Sequence, residues 1–290
     1  MKKSYAFIAQ KGGTGKTTTA LSVAGGLVKC GQRVLLLDTD MQQNSSFVAN
    51  VPVECQSNYI SDVLKENCTP ADAILRTSSG FDIILADNGI AAIEAASRLP
   101  SFTIKDIIES VEDDYDYVLI DCPPAISKMT LMALGAVDEI VIPLNADIFS
   151  INSLEQIIDS FKEVKKKNKK LKIAGMLLTR YHGYTLEKMV LERLKEIAEL
   201  NQTVIFENTI PENVSIRECV CVPQTIFEYD PKSKGAEAYR HFIKELTGEE
   251  FKREKGTKKA GTRSGIQRRH ERTTGGPKKR TRQTTKTNKK

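Results

Sequence analysis

The chain has 290 residues, of which 40% are hydrophobic, so one large or two small domains can fold without disulfides or structural metals. Its formal charge of +6 is unevenly divided, because residues 252–290 carry +14 and residues 1–251 carry −8. Six cysteines without a CxxC pair argue against a common zinc site and are typical of reduced intracellular thiols. We find no run of about 18 apolar residues and no export signal, so we predict a cytoplasmic protein.

Short apolar runs alternate with amphipathic patterns through most of the chain. Continuous apolar runs are typical of strands buried on both faces, and apolar residues at i, i+3 and i+4 are typical of helices. The predicted strands are 5–9, 34–37, 83–86, 117–120, 140–143, 173–178 and 204–206, and the predicted helices are 17–29, 127–136, 150–167, 186–200 and 233–246. The alternation predicts an α/β fold with a doubly wound, mostly parallel sheet flanked by helices.

A glycine-rich segment, residues 10–17 (QKGGTGKT), follows the first predicted strand and opens the first predicted helix. It matches the phosphate-binding pattern G-x-x-x-x-G-K-[ST], except that Gln10 occupies the first glycine position. Glycines allow close backbone approach, and N–H groups at a helix N-terminus bind anions. We predict that Lys16 reaches the β- and γ-phosphates of ATP, that Thr17 binds Mg²⁺ and that Thr18 contacts the α-phosphate region. The other predicted nucleotide contacts are Gly12, Gly13, Thr14 and Gly15.

Three aspartates stand at the ends of two predicted strands. Asp38 and Asp40 follow the run 34–37, and Asp121 ends the run 117–120. Strand ends are where open α/β sheets place ligand groups, so these carboxylates are expected to face the nucleotide crevice. Asp121 has the form of a Walker B aspartate, which binds magnesium through water. Alternatively, Asp38 and Asp40 cap a following turn or helix.

Lys11 is a second lysine beside the phosphate-binding loop, and a generic nucleotide cradle has no role for it. The segment 11–18 resembles the deviant Walker A P-loop of ParA/MinD-family ATPases of the ParA/Soj partition type. Residues 38–42 resemble that family's D-x-D-P-Q signature, with Met41 in place of proline, and residues 121–124 resemble its D-x-P-P segment. The late segments 177–181, 209–214 and 229–236 extend the resemblance over about residues 4–246.

The resemblance implies a P-loop ATPase that uses ATP and Mg²⁺ and forms a sandwich dimer when ATP binds. In that family the early lysine, here Lys11, crosses the dimer interface to the partner's ATP. The second signature aspartate, here Asp40, orients the attacking water, and Asp38 supports the metal or the signature lysine. The implied catalytic residues are Lys11, Lys16 and Asp40, and the implied metal-site residues are Thr17, Asp38 and Asp121.

By the same resemblance, Pro211 and Asn213 border the adenine, although a polar loop of this kind is also commonly a plain connection. The implied partners are a second copy of the chain, nonspecific DNA and a ParB-like centromere-binding protein that stimulates hydrolysis, with no membrane. The protein would then be cytoplasmic and associated with the nucleoid when it holds ATP.

We predict two regions, a ParA-like P-loop ATPase domain over residues 1–250 and a disordered basic tail over residues 251–290. The tail has too few apolar side chains to offset the entropy of ordering, and its charge can follow DNA phosphates. The family often has arginines where this chain has Glu212 and Ser215. The predicted DNA-binding residues are therefore Arg217, Lys232, Lys234 and the basic tail from Lys252 to Lys290. Alternatively, the tail is a solubilising extension.

Three other functions of this fold stay open, because a fold does not determine a function. A MinD-like positioning ATPase would need a C-terminal amphipathic membrane helix, for which residues 252–290 have almost no apolar face. An iron–sulfur carrier would need cysteines facing each other across a dimer, and Cys122, Cys219 and Cys221 lack convincing ligand spacing. A metabolic synthetase would use the loops to bind a small substrate. The late partition-type segments argue against this function.

Overall fold

A computed structural model describes residues 1–49, 51, 57–222 and 224–252. Its sheet has seven strands in the order β3-β4-β2-β5-β1-β6-β7. The strand bounds are β1 Lys3–Phe7, β2 Val34–Asp38, β3 Leu75–Arg76, β4 Asp82–Ile84, β5 Tyr117–Asp121, β6 Glu139–Leu144 and β7 Lys172–Leu178. The β3–β4 pair is antiparallel and the other five pairs are parallel. The predicted doubly wound, mostly parallel sheet is confirmed.

Helices cover both faces of the sheet. Within the described residues they are α1 Lys16–Cys30, α2 Asn44–Ala49, α3 Ile60–Leu64, α4 Pro70–Ala73, α5 Ile90–Ala95, α6 Ile104–Val111, α7 Lys128–Ala136, α8 Ile148–Lys165, α9 Thr185–Leu200, α10 Val214–Cys219, α11 Ile226–Tyr229 and α12 Lys234–Thr247. The five helices predicted from the sequence correspond to α1, α7, α8, α9 and α12. The others have four to eight residues, too short to give a clear periodic signal.

Alternate residues of each central strand pack on opposite faces of the sheet. Ala6 and Leu37 belong to one buried cluster, whereas Phe7 and Leu36 belong to the other. Both faces are covered, which is why these strands are largely apolar. The predicted strand 204–206 forms only an isolated parallel bridge, between Ile205 and Met176.

The last described residues lie against the folded part of the chain. The Phe251 ring packs against the Phe227 ring with centroids 5.1 Å apart, and the Lys252 backbone N–H donates to the Lys29 carbonyl at 3.3 Å. Phe251 and Lys252 thus pack against the rest of the described chain. The rest of the predicted tail, residues 253–290, lies outside the described residues. Cys30, Cys68, Cys122, Cys219 and Cys221 are unpaired.

None of the helices within the described residues is long and apolar enough to cross a membrane.

Candidate functional site

The glycine-rich loop joins the end of β1 to the start of α1. Gly13 and Gly15 have φ angles of 76° and 81°, in the left-handed region that other residues enter at a cost of about 1 kcal/mol. No side chain caps the start of α1, so its first N–H groups are available to an anion. The sequence places glycine where the backbone requires it, and the loop has the conformational freedom of a phosphate cradle.

Lys16 lies inside the site and is only 7% exposed. Its Nζ donates to Asp121 Oδ1 at 2.5 Å and lies 3.9 Å from Asp40 Oδ2. Burial alone would lower the pKa of Lys16, but the charge and hydrogen bond of Asp121 outweigh burial, and the pKa is raised. The lysine therefore carries its charge at the position where phosphate is expected.

Asp38 and Asp121 lie side by side on β2 and β5 and are fully buried. Ser46 donates to Asp38 Oδ2 from both its backbone N–H and its hydroxyl, each at 2.8 Å, and Ser45 Oγ donates to Asp121 Oδ2 at 2.8 Å. Burial and the nearby charge of Asp121 raise the pKa of Asp38 to about 7. Two adjacent buried carboxylates disfavour double ionisation, and a cation favours it.

Asp40 is also buried, and it lines a cavity at the glycine-rich loop. Its carboxylate accepts the Gln42 backbone N–H at 3.0 Å, and its own N–H donates to Asp38 Oδ1 at 3.1 Å. Together with the Ser46 N–H on Asp38, these contacts are the turn and helix-start contacts that the capping interpretation of the sequence described. Asp40 makes these turn contacts while its Oδ2 lies 3.9 Å from Lys16 Nζ. Capping a turn and facing the nucleotide site are therefore compatible for this residue.

Two cavities meet at the phosphate-binding loop. The larger, of about 340 Å³, is lined by all eight residues from Lys11 to Thr18 together with Asp40, Gln42, Asn44 and Phe47. The smaller, of about 90 Å³, is lined by Pro211, Asn213 and Ile216. Gly15, Thr18, Arg180 and Val220 line both. The structure thus places the predicted adenine residues beside a cavity adjoining the phosphate loop.

Lys11 has surroundings unlike those of Lys16. Its side chain is 37% exposed, and its Nζ lies 2.6 Å from Asp147 Oδ2 and 5.6 Å from the centre of the Phe149 ring. Asp147 is the N-cap of α8 and accepts the Ser150 backbone N–H. Partial burial disfavours its ionisation, but the bonds from Lys11 and Ser150 outweigh burial and lower the pKa of Asp147. The sequence analysis did not identify Asp147, which is 136 residues from Lys11.

The predicted magnesium-site residues offer oxygen atoms, the ligands that Mg²⁺ prefers. Thr17 lies in the first turn of α1, and Asp38 and Asp121 end neighbouring strands. No cluster of three or more His, Cys, Asp or Glu side chains that could hold a metal occurs among the described residues. This donor set fits an ion that keeps several waters and is held by few protein groups together with substrate phosphates.

The predicted DNA-binding side chains within the described residues lie on two elements, with Arg217 on α10 and Lys232 and Lys234 around the start of α12. Arg217 lies 3.4 Å from Glu212, and the other Glu212 oxygen lies 3.3 Å from His182 Nε2. Lys232 and Lys234 are exposed on either side of Ser233, the N-cap of α12. The tail after Lys252 lies outside the described residues. Glu212, which replaces an arginine of the family pattern, thus reduces the free positive charge beside it.

The site consists of a strand, a loop with two glycines in the left-handed conformation, and a helix whose buried lysine lies beside strand-end aspartates. This arrangement defines a P-loop nucleotide-binding protein. A family model described as an AAA domain matches residues 2–173. Soj of Bacillus subtilis is 32% identical over 252 residues, covering 85% of this chain and 98% of that protein. ParA of Caulobacter vibrioides is 32% identical over 253 residues, covering 84% and 94%. The chain belongs to the ParA/Soj family of partition ATPases, as the sequence predicted.

Solved structures share the fold. Cobyrinic acid a,c-diamide synthase from Mycobacterium smegmatis, with bound ADP and magnesium, superposes with a TM-score of 0.71 at 29% identity, covering 84% of this chain and 93% of that one. MinD from Pyrococcus horikoshii, complexed with Mg-ADP, superposes with a TM-score of 0.68 at 25% identity, covering 85% and 95%. The nucleotide and magnesium in these neighbours agree with the predicted cofactors.

Proposed function

We propose that this protein is a DNA-partition ATPase whose ATP-bound sandwich dimer binds DNA nonspecifically and is released by partner-stimulated hydrolysis. The observation that carries the proposal is the contrast between its two loop lysines. Lys16 is buried among the site aspartates, whereas Lys11 lies at the partly exposed rim against Asp147 and Phe149. A cation at the rim suits a role toward a nucleotide held by a second copy.

In this mechanism, the P-loop N–H groups and Lys16 bind the phosphates within one subunit. Thr17, Asp38 and Asp121 would hold the magnesium ion, which would neutralise phosphate charge. Asp40 positions the attacking water. Lys11 of the second subunit stabilises the developing charge, as an arginine finger does. Because the site is complete only in the dimer, hydrolysis serves as a timer for disassembly.

The DNA contact is assigned mainly to the basic tail. Glu212 pairs with Arg217, and the Ser215 hydroxyl donates to Asp230 at 2.8 Å, so this surface offers little free positive charge. Residues 252–290 carry +14, and Lys232 and Lys234 add exposed cations. A basic arm binds the phosphate backbone without reading bases, with an affinity that falls as salt rises.

The relatives support partition as the biological task, since the Caulobacter protein is described as a chromosome-partitioning protein. The partner that stimulates hydrolysis would then be a ParB-like centromere-binding protein. The site of action would be the cytoplasm, with the ATP-bound dimer on the nucleoid.

A metabolic synthetase is the second candidate, favoured by the structural similarity to cobyrinic acid a,c-diamide synthase. A MinD-like positioning ATPase is the third, favoured by the similarity to MinD. ATP turnover measured with and without DNA separates the first two, because DNA should alter the turnover of a partition ATPase. Binding to lipid vesicles tests the third.

The dimer is tested by sedimentation of the full chain with magnesium and a non-hydrolysable ATP analogue. The wild type should become dimeric, whereas Lys11→Ala should bind the analogue and stay monomeric. Lys195→Ala is the matched control, because Lys195 is an exposed lysine on α9 that pairs with Glu192. A Lys11→Ala protein that dimerises like this control would contradict the role across the interface.

A further inference from the structure

Arg180 has a backbone conformation that its surroundings hold in place. It follows β7 with a φ angle of 53°, a left-handed conformation that costs about 1 kcal/mol for a residue other than glycine. On one side Thr179 donates from its hydroxyl to the Thr14 carbonyl at 2.7 Å, and on the other the Tyr181 N–H donates to the Ile210 carbonyl at 3.4 Å. Strain that is held in this way is concentrated at functional sites.

The Arg180 guanidinium lies over the phosphate-binding loop. Its Nη1 is 4.0 Å from the position that a Cβ atom on Gly13 would occupy. The side chain lines both cavities, together with Gly15 and Thr18. We call the larger cavity, at the glycine-rich loop, the phosphate-side cavity, and the smaller one, lined by Pro211 and Asn213, the base-side cavity. A ligand that extends from the phosphate loop toward Pro211 would therefore pass Arg180.

The guanidinium has no hydrogen-bond, ion-pair or ring partner among the described residues, whereas the neighbouring cations are paired. Lys16 is bonded to Asp121, Lys11 to Asp147, and Arg217 lies beside Glu212. An arginine is always charged and presents five N–H donors. An arginine with an anchored backbone and an exposed, unpaired guanidinium at the junction of the two cavities is suited to an anionic group between a base and a phosphate chain.

The loop after Arg180 is anchored as well. The backbone N–H groups of His182 and Tyr184 donate to Glu187 at 3.0 and 2.9 Å. The His182 ring lies 3.3 Å from Glu212, which lines the base-side cavity. A loop fixed in this way has less entropy to lose when a ligand binds.

We propose that Arg180 is a nucleotide-contacting residue whose guanidinium donates hydrogen bonds to the α-phosphate of bound ATP or ADP. Lys16 and magnesium act on the β- and γ-phosphates, whereas Arg180 acts at the junction with the nucleoside. The inference rests on nucleotide binding at the P-loop and not on dimerisation or DNA binding. A failure of the Arg180 proposal would therefore leave the partition mechanism intact. Likewise, a failure of the dimerisation or DNA-binding proposal would leave the Arg180 proposal intact.

The test measures Mg-ATP and Mg-ADP affinities of the full chain by calorimetry. Arg180→Asn removes the cation and retains a residue that tolerates the left-handed backbone; Arg180→Lys retains a charge. Arg193→Ala is the control, because Arg193 is an exposed arginine on α9 that pairs with Glu196. Melting curves without nucleotide establish that all three variants fold.

Arg180→Asn should weaken both nucleotides by a similar factor, on the order of tenfold to a hundredfold for a lost charge-assisted hydrogen bond. Arg180→Lys should recover part of that affinity. Affinities of Arg180→Asn within about twofold of the control would overturn the proposal. A loss confined to ATP would overturn the α-phosphate assignment, because ADP also carries that phosphate.

Discussion

At the residue scale, the site depends on a buried positive charge among carboxylates. Lys16 holds its charge because Asp121 accepts its hydrogen bond and Asp40 lies close by. Removing one member of a buried ion pair leaves the other without compensation, at a cost of about 3 to 5 kcal/mol. Ser45 and Ser46 donate to Asp121 and Asp38, so these aspartates keep some compensation if the lysine is lost.

Substitutions of Lys16 and Asp40 should separate nucleotide binding from hydrolysis. Lys16→Ala should abolish ATP binding and lower the free energy of unfolding by about 3 kcal/mol, because it removes the phosphate contact and the partner of Asp121. Asp40→Ala should retain ATP binding and dimerisation and lose hydrolysis. Calorimetry, sedimentation and phosphate release measure these effects, and a fully active Asp40→Ala protein would refute the water-positioning role.

At the element scale, α1 connects the phosphate loop to the helices packed around it. Gly25 lies against Thr225, the N-cap of α11, whose hydroxyl is bonded to Glu228. A Cβ at Gly25 would lie 2.7 Å from Thr225 Cγ2 and 3.1 Å from its Cβ. Thr225 is buried and cannot move away without losing that bond. The small residue therefore sets how closely α1 approaches the loop before α11.

Two glycine-to-alanine substitutions in helices should have opposite effects. Gly25→Ala should lower the free energy of unfolding by about 1 to 3 kcal/mol through overpacking. Gly135→Ala in α7 meets no atom within 4 Å and should raise it by up to about 1 kcal/mol through helix propensity. Urea unfolding measures both. A stabilised Gly25→Ala protein would show that α1 and Thr225 are packed more loosely than described.

At the scale of the whole molecule, the charge is divided between residues 1–251, of net −8, and residues 252–290, of net +14. A negatively charged folded part is repelled by DNA, so electrostatic attraction must come from local cations or from the tail. Phe251 packs on Phe227 and Lys252 bonds to the Lys29 carbonyl. Residues 251 and 252 therefore pack against the rest of the described chain.

Truncation after Lys252 should keep these last contacts and remove most of the tail charge. We expect DNA affinity to fall at least about tenfold at moderate salt, and log affinity to depend less steeply on log salt, because fewer counterions are released. Fluorescence anisotropy with a random-sequence duplex measures both. ATP affinity is the internal control and should not change. Unchanged DNA binding would show that the tail only solubilises the protein.

Local sequence signals were sufficient for the fold class and for the phosphate loop. Buried parallel strands are largely apolar, as in residues 34–37 of β2, and the long helices repeat apolar residues every three or four positions. Gly13 and Gly15 stand where the backbone needs a left-handed conformation. Such features reside within a few neighbouring residues, so they are visible without the tertiary structure. The short helices α2 to α6, α10 and α11 were missed because they have too few residues to give a clear periodic signal.

The strand order and the surroundings of each site residue were decided only by tertiary structure. Asp147 meets Lys11, Ser45 meets Asp121, and Arg180 reaches the phosphate loop across large separations in the chain. Such long-range contacts cannot be inferred from a local sequence pattern, because they depend on the order of the strands in the sheet and on the paths of the connecting loops. The sequence by itself therefore determined the kind of nucleotide loop and the α/β fold. Folding determined that one lysine is buried with aspartates, that the other lies at the rim, and that Arg180 lines both cavities without a side-chain partner among the described residues.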